Sequence, residues 1–85
     1  MSYNNSIYAR AVEITEDYLG PAGERFLRRQ ITTHLDIEPE KMRKQDLSKL
    51  VDWTALAFAS LTDNTKDVEA FTKELSLLTG GSRYR

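Results

Sequence analysis

Residues 47–61, LSKLVDWTALAFASL, constrain the fold more than any other stretch of this chain. Leu47, Leu50, Val51, Trp53, Ala57, Phe58 and Leu61 recur at helical steps and cover more than half of a helix circumference. A helix that apolar is packed on several sides, so the run predicts a central helix over residues 46–61 with Asp46 as its N-cap. With Asp52 and Thr54 inside it, the same run is too short and too polar to span a bilayer.

The rest of the chain reads as helices that can close around that segment. Ile7, Ala11, Ile14 and Tyr18 recur at four, three and four residues, widened by Val12 and Leu19, with Asn5 or Ser6 as N-cap. Gly20 stops this helix and Pro21 opens the next, which the spacing of Phe26, Leu27, Ile31 and Leu35 carries to about His34. Residues 36–45, DIEPEKMRKQ, are the main break, with one helical turn predicted at Pro39–Met42. TDNT, residues 62–65, supplies Asp63 or Asn64 to cap a last helix whose stripe is Val68, Phe71, Leu75 and Leu78. Gly80 and Gly81 end it. QITTHLDI alternates in part but continues a stronger helical period, so no strand is expected. The expected fold is therefore all-α: a compact four-helix bundle, one domain over residues 1–85, with flexible tails at 1–5 and 80–85.

Size and charge narrow the function classes. Eighty-five residues bury one compact core and leave no room for a second one around a cofactor-sized cleft. Lys and Arg number 12 against 13 Asp and Glu, giving a net charge of −1, whereas a dedicated nucleic-acid domain shows a basic excess. Cysteine is absent, which removes disulfides and thiolate zinc sites. MSYNNSIYAR has no charged region leading into an apolar run, so no signal peptide is expected; the chain reads as cytoplasmic, without membrane attachment.

Candidate sites are few. Arg25, Arg28 and Arg29 cluster on the polar side of the second helix, and Lys41, Arg43 and Lys44 could extend that basic surface. Glu24 stands four residues before Arg28, the favourable order for a helical ion pair, so a solvated face is the plainer reading of the cluster. The first two helices and their Gly-Pro corner also fit a helix-turn-helix, with the arginines reading a groove. His34, the one histidine, has no identifiable nucleophile or orienting acid, so no catalytic residue, cofactor or metal is expected. Asp52, Leu56 and Ala59 share one stripe of the third helix. Asp52 either pairs with one of the three arginines, the favoured reading, or marks an exposed stripe. Glu13, Glu16 and Asp17 make an acidic end to the first helix, for which Arg25 or Arg28 is the simplest compensation.

The run YLGPAGERFLRRQ, followed by DLSKLVDW and a closing helix, resembles small helical modules of bacterial signalling proteins, some of them at the C-terminal ends of serine/threonine kinases. The resemblance spans about residues 17–78. It implies an accessory interaction role rather than chemistry and carries no binding residue onto this chain. The expected function is a non-enzymatic protein-interaction or regulatory module that binds another protein or a second copy of itself. Tyr8, Tyr18, Leu19, Arg25, Phe26, Arg29 and Trp53 are the candidate contacts, since aromatics and arginine anchor interfaces. The alternative is nucleic-acid binding through Arg25, Arg28, Arg29, Lys41, Arg43 and Lys44.

Overall fold

The computed structural model describes residues 6–80, so the expected tails at 1–5 and 80–85, Gly80 excepted, lie outside the described residues. The described residues are helical and contain no strand. α1 spans Ile7–Leu19, α2 Gly23–His34, α3 Lys44–Ala59 and α4 Thr65–Leu78, with single 3-10 turns at Gly20–Ala22 and Pro39–Lys41.

Local chemistry sets these boundaries. Ser6 Oγ accepts the Ala9 N–H at 3.0 Å and Asn64 Oδ1 accepts the Asp67 N–H at 3.1 Å, each quenching an orphan donor of a first turn. Gly20 ends α1 at φ 69°, ψ −151°, a conformation that is essentially reserved for glycine. Its chain then makes a 3-10 turn before α2, so the second helix begins at Gly23 rather than at Pro21. Asp46 does not cap α3. It sits in the first turn, two residues inside Lys44, and accepts the Arg43 N–H at 3.0 Å. Asp36, at φ 54°, turns the chain out of α2.

Gly23 fixes the corner. A Cβ there would lie 2.8 Å from both Cα and N of Glu16, so only glycine lets the start of α2 lie against the end of α1. Near the other end of α1, the Tyr8 hydroxyl meets Glu24 and Arg28 of α2.

α1 packs on α2 and α4, and α3 packs on the same two. Leu27, Ile31, Leu47, Leu50, Phe71 and Leu75 are fully enclosed between them. Tyr18, Phe58 and Phe71 join α1, α3 and α4 in an edge-to-face triad with ring centroids 4.9–6.0 Å apart. The inner face of α1 is Tyr8, Ala11 and Thr15, one position away from the expected stripe, with Ile7 and Ile14 half-buried beside it. Thr15 tolerates this place because its hydroxyl donates to the Ala11 carbonyl at 2.7 Å.

α3 meets the expectation of a central helix only in part. Leu47, Leu50, Val51, Thr54 and Phe58 are buried, yet its far side is open to solvent.

Candidate interaction surface

Helical geometry gives α3 two faces. Leu47, Leu50, Val51, Thr54 and Phe58 fall within one arc and enter the core. At 100° per residue, Leu56 lies opposite Leu47, with Trp53 and Lys49 beside it. Lys49, Trp53, Leu56 and Ser60 are spaced by four, three and four residues, which is a second continuous seam. All four are exposed; Trp53 keeps 51% and Leu56 66% of its surface in water. Trp53 gains a neighbour across the seam's edge. The His34 ring stacks on the indole at 4.5 Å between centroids and 10° between planes, and this holds the tryptophan flat at the α2 border.

The basic surface is built differently. Arg28 is tied down on three sides: Nη1 donates to Glu40 Oε2 at 3.0 Å and to the Tyr8 hydroxyl at 3.1 Å, and it lies 3.9 Å from Glu24 Oε2. The Tyr8 hydroxyl in turn donates to Glu24 Oε2 at 2.7 Å. Burial, helped by the Glu24 carboxylate, pushes the Tyr8 phenol up to about 12. The Arg28 hydrogen bond holds the Glu40 carboxyl below its ordinary range. Lys41 lies 3.9 Å from Glu38, and Arg43 3.9 Å from Asp46. Three of the six cations offered for nucleic acid are thus partnered within the chain. Arg25, Arg29 and Lys44 have no ion-pair partner among the described residues, and Pro21, Glu24, Arg25, Arg28, Arg29 and Thr32 line an open depression on α2.

The expected contact residues do not gather into one surface. Tyr8 is 7% exposed and belongs to the core, with its hydroxyl used by Glu24 and Arg28. Tyr18 is half-buried in the aromatic triad, and its hydroxyl donates to Glu74 Oε2 at 2.5 Å, the main cause of its rise to about 12. Leu19 and Phe26 are half-buried against the core. Arg25 and Arg29 are on the outside of α2, and Trp53 is on the outside of α3. Asp52 is exposed and makes no ion pair among the described residues, which overturns its expected pairing with Arg25, Arg28 or Arg29 and leaves it on the open stripe. Glu13, Glu16 and Asp17 likewise make no ion pair with Arg25 or Arg28 among the described residues.

Leu56 is not among the expected contact residues, yet it is the most exposed large hydrophobic residue of the outer face. Its signal was the shared stripe with Asp52 and Ala59 and the four-three-four spacing around it. The His34 stack was not readable, because it joins helices 19 residues apart in sequence.

Among the described residues no group of His, Cys, Asp or Glu side chains is arranged to hold a metal ion, and no helix is long and apolar enough to cross a membrane. Comparison with family models, curated proteins and solved structures finds no match to this chain.

Proposed function

We propose that this chain is a non-enzymatic protein-docking module of the cytoplasm, a four-helix bundle that presents the outer face of α3 to another protein. The observation that carries this reading is Trp53 beside Leu56, both more than half exposed, on a helix whose opposite side is fully committed to the core. Large aromatic and aliphatic side chains held in the open one turn apart are the usual anchors of a protein interface. The groups with displaced proton affinities support a non-catalytic role. Tyr8, Arg28 and Glu40 satisfy one another, and Tyr18 is bound to Glu74, so none is left poised toward a substrate. The resemblance of residues 17–78 to accessory modules of bacterial signalling proteins points the same way, toward a regulatory partner.

Affinity capture from bacterial lysate tests the proposal. Leu56→Glu should lose partners that the wild type retains, while Leu77→Glu, at an equally open leucine of α4, should keep them. Identical captured sets for all three would sink it.

The open depression on α2 favours a second reading, nucleic-acid contact through Arg25 and Arg29. Duplex DNA titrated at low salt, with the Arg25→Glu/Arg29→Glu variant beside the wild type, decides it: salt-sensitive binding lost in the variant supports the reading, and no binding removes it.

A further inference from the structure

The outer seam of α3 has a pattern that selects among partners. Read in either direction, it runs polar, apolar, apolar, polar: Lys49, Trp53, Leu56, Ser60. An isologous contact requires one patch to complement itself after a two-fold rotation. A palindromic seam on a straight helix meets that requirement when two copies lie antiparallel about a point midway between Trp53 and Leu56. We propose that the occupant of this face is a second copy of the chain, paired α3 to α3 in antiparallel register, so that Trp53 of each copy packs on Leu56 of the other.

In this register Lys49 faces Ser60 of the other copy, and both lie at the rim in water. No charge is driven into the centre, since Asp52 falls at the edge of the stripe opposite Ala57, where its carboxylate stays solvated. The four-three-four step keeps the contact aligned along the seam, as knobs-into-holes packing needs. Other registers fare worse. A parallel pairing sets Lys49 against Lys49, and sliding the antiparallel pairing by one turn faces Leu56 with Lys49 in one direction and Trp53 with Ser60 in the other.

Area sets the expected strength. Half of a tryptophan and two-thirds of a leucine expose on the order of 250 Å² of largely apolar surface per copy. That is roughly a third of the ~800 Å² per partner of a standard stable interface. The Lys49 stem, Ala59, Ser60 and the His34 ring beside Trp53 extend it. The pairing is therefore concentration-dependent, with dimer accumulating in about the micromolar-to-millimolar range rather than persisting at high dilution.

The proposal deepens the docking reading and rests on it, and one set of experiments separates the two. The chain has no cysteine, so single cysteines report the register cleanly. Lys49→Cys and Ser60→Cys chains, mixed and oxidised with diamide, should form a covalent heterodimer. Lys49→Cys alone should stay unlinked, because its two copies are held about 16 Å apart along the paired helices, 11 residues at 1.5 Å each. Light scattering on a sizing column should show mass rising with concentration for the wild type and for Leu77→Glu, and monomer throughout for Leu56→Glu with unchanged helical circular dichroism. Efficient linking of Lys49→Cys to itself, or no linking of the mixture, overturns the register. A wild type that is monomeric at every concentration, whose lysate partners are lost in Leu56→Glu, overturns the second copy and leaves the docking reading standing. If Leu56→Glu changes neither mass nor partners, both fall.

Discussion

Replacing Gly23 with alanine is the most informative single perturbation of the fold, because two effects of opposite sign act at that residue. Gly23 is the first residue of α2, and alanine is the better helix former by up to about 1 kcal/mol. Against this, the new Cβ would sit 2.8 Å from Glu16 Cα and N and 2.9 Å from Glu16 Cγ, where ordinary contact begins at 3.4 Å. The side-chain atom can swing away, but the two backbone atoms cannot. α2 must therefore retreat from α1 by about 0.6 Å or more, the difference between the two distances. That movement loosens the enclosed packing of Leu27 and Ile31 and stretches the Tyr8 bonds to Glu24 and Arg28. Overpacking of this kind costs about 1–3 kcal/mol, so the clash outweighs the propensity gain and the net loss is about 1–2 kcal/mol. For a domain of this size each kcal/mol lowers the melting temperature by about 4–8 °C. Thermal unfolding followed by circular dichroism should thus place Gly23→Ala about 5–15 °C below the wild type. An alanine variant that melts at or above the wild type would refute the close approach of α1 and α2.

Other expectations follow from single groups. Thr54 is fully buried and its hydroxyl has no hydrogen-bond partner among the described residues; Thr54→Val keeps the shape and should raise stability by about 1 kcal/mol, read from the urea midpoint, with a fall in midpoint counting against it. Tyr8 and Tyr18 ionise near 10 in the unfolded chain and at about 12 in the folded one. The folded state thus holds protons that the unfolded state has released, so stability is full below pH 10 and declines as pH rises from 10 to 12. The Tyr8→Phe/Tyr18→Phe variant should show a flatter decline over that interval; an unchanged slope would contradict the assignment. Arg28→Ala releases Tyr8, Glu24 and Glu40 at once and should lower the melting temperature by an amount that shrinks at high salt. His34→Ala uncovers one face of Trp53 and should increase acrylamide quenching of its fluorescence.

Several helix boundaries were legible from single residues, although Pro21 does not open α2 and Asp46 does not cap α3. Ser6 and Asn64 cap as their hydroxyl and amide suggest, Gly20 stops α1, Pro39 opens the short turn, and Phe71 and Leu75 anchor the stripe of α4. The readings went astray where a polar atom finds its partner only in three dimensions. Thr15 and Tyr8 turn inward on α1 because Ala11 and Glu24 satisfy their hydroxyls, while the more apolar Ile7 and Ile14 stay half-buried. Counting apolar positions could not see that exchange. The same count made α3 look enclosed, since it cannot tell a broad core face from a core face plus an outer seam. Burial separated them: Leu50 and Phe58 go inside, and Trp53 and Leu56 remain out. Tyr8 shows the same limit of the count: an aromatic ring packs a core as readily as it anchors a partner, and Tyr8 is buried.

Trp53 is the single tryptophan of the chain, so its emission reports the outer face of α3 with no other contribution. Recording that emission and its acrylamide quenching across a dilution series tests the central claim directly. If the face is a docking surface occupied by a second copy, concentrated protein emits further to the blue and is quenched less than dilute protein, and Leu56→Glu abolishes both changes. Emission and quenching that stay constant across the series in the wild type, or that change equally in Leu56→Glu, would contradict it.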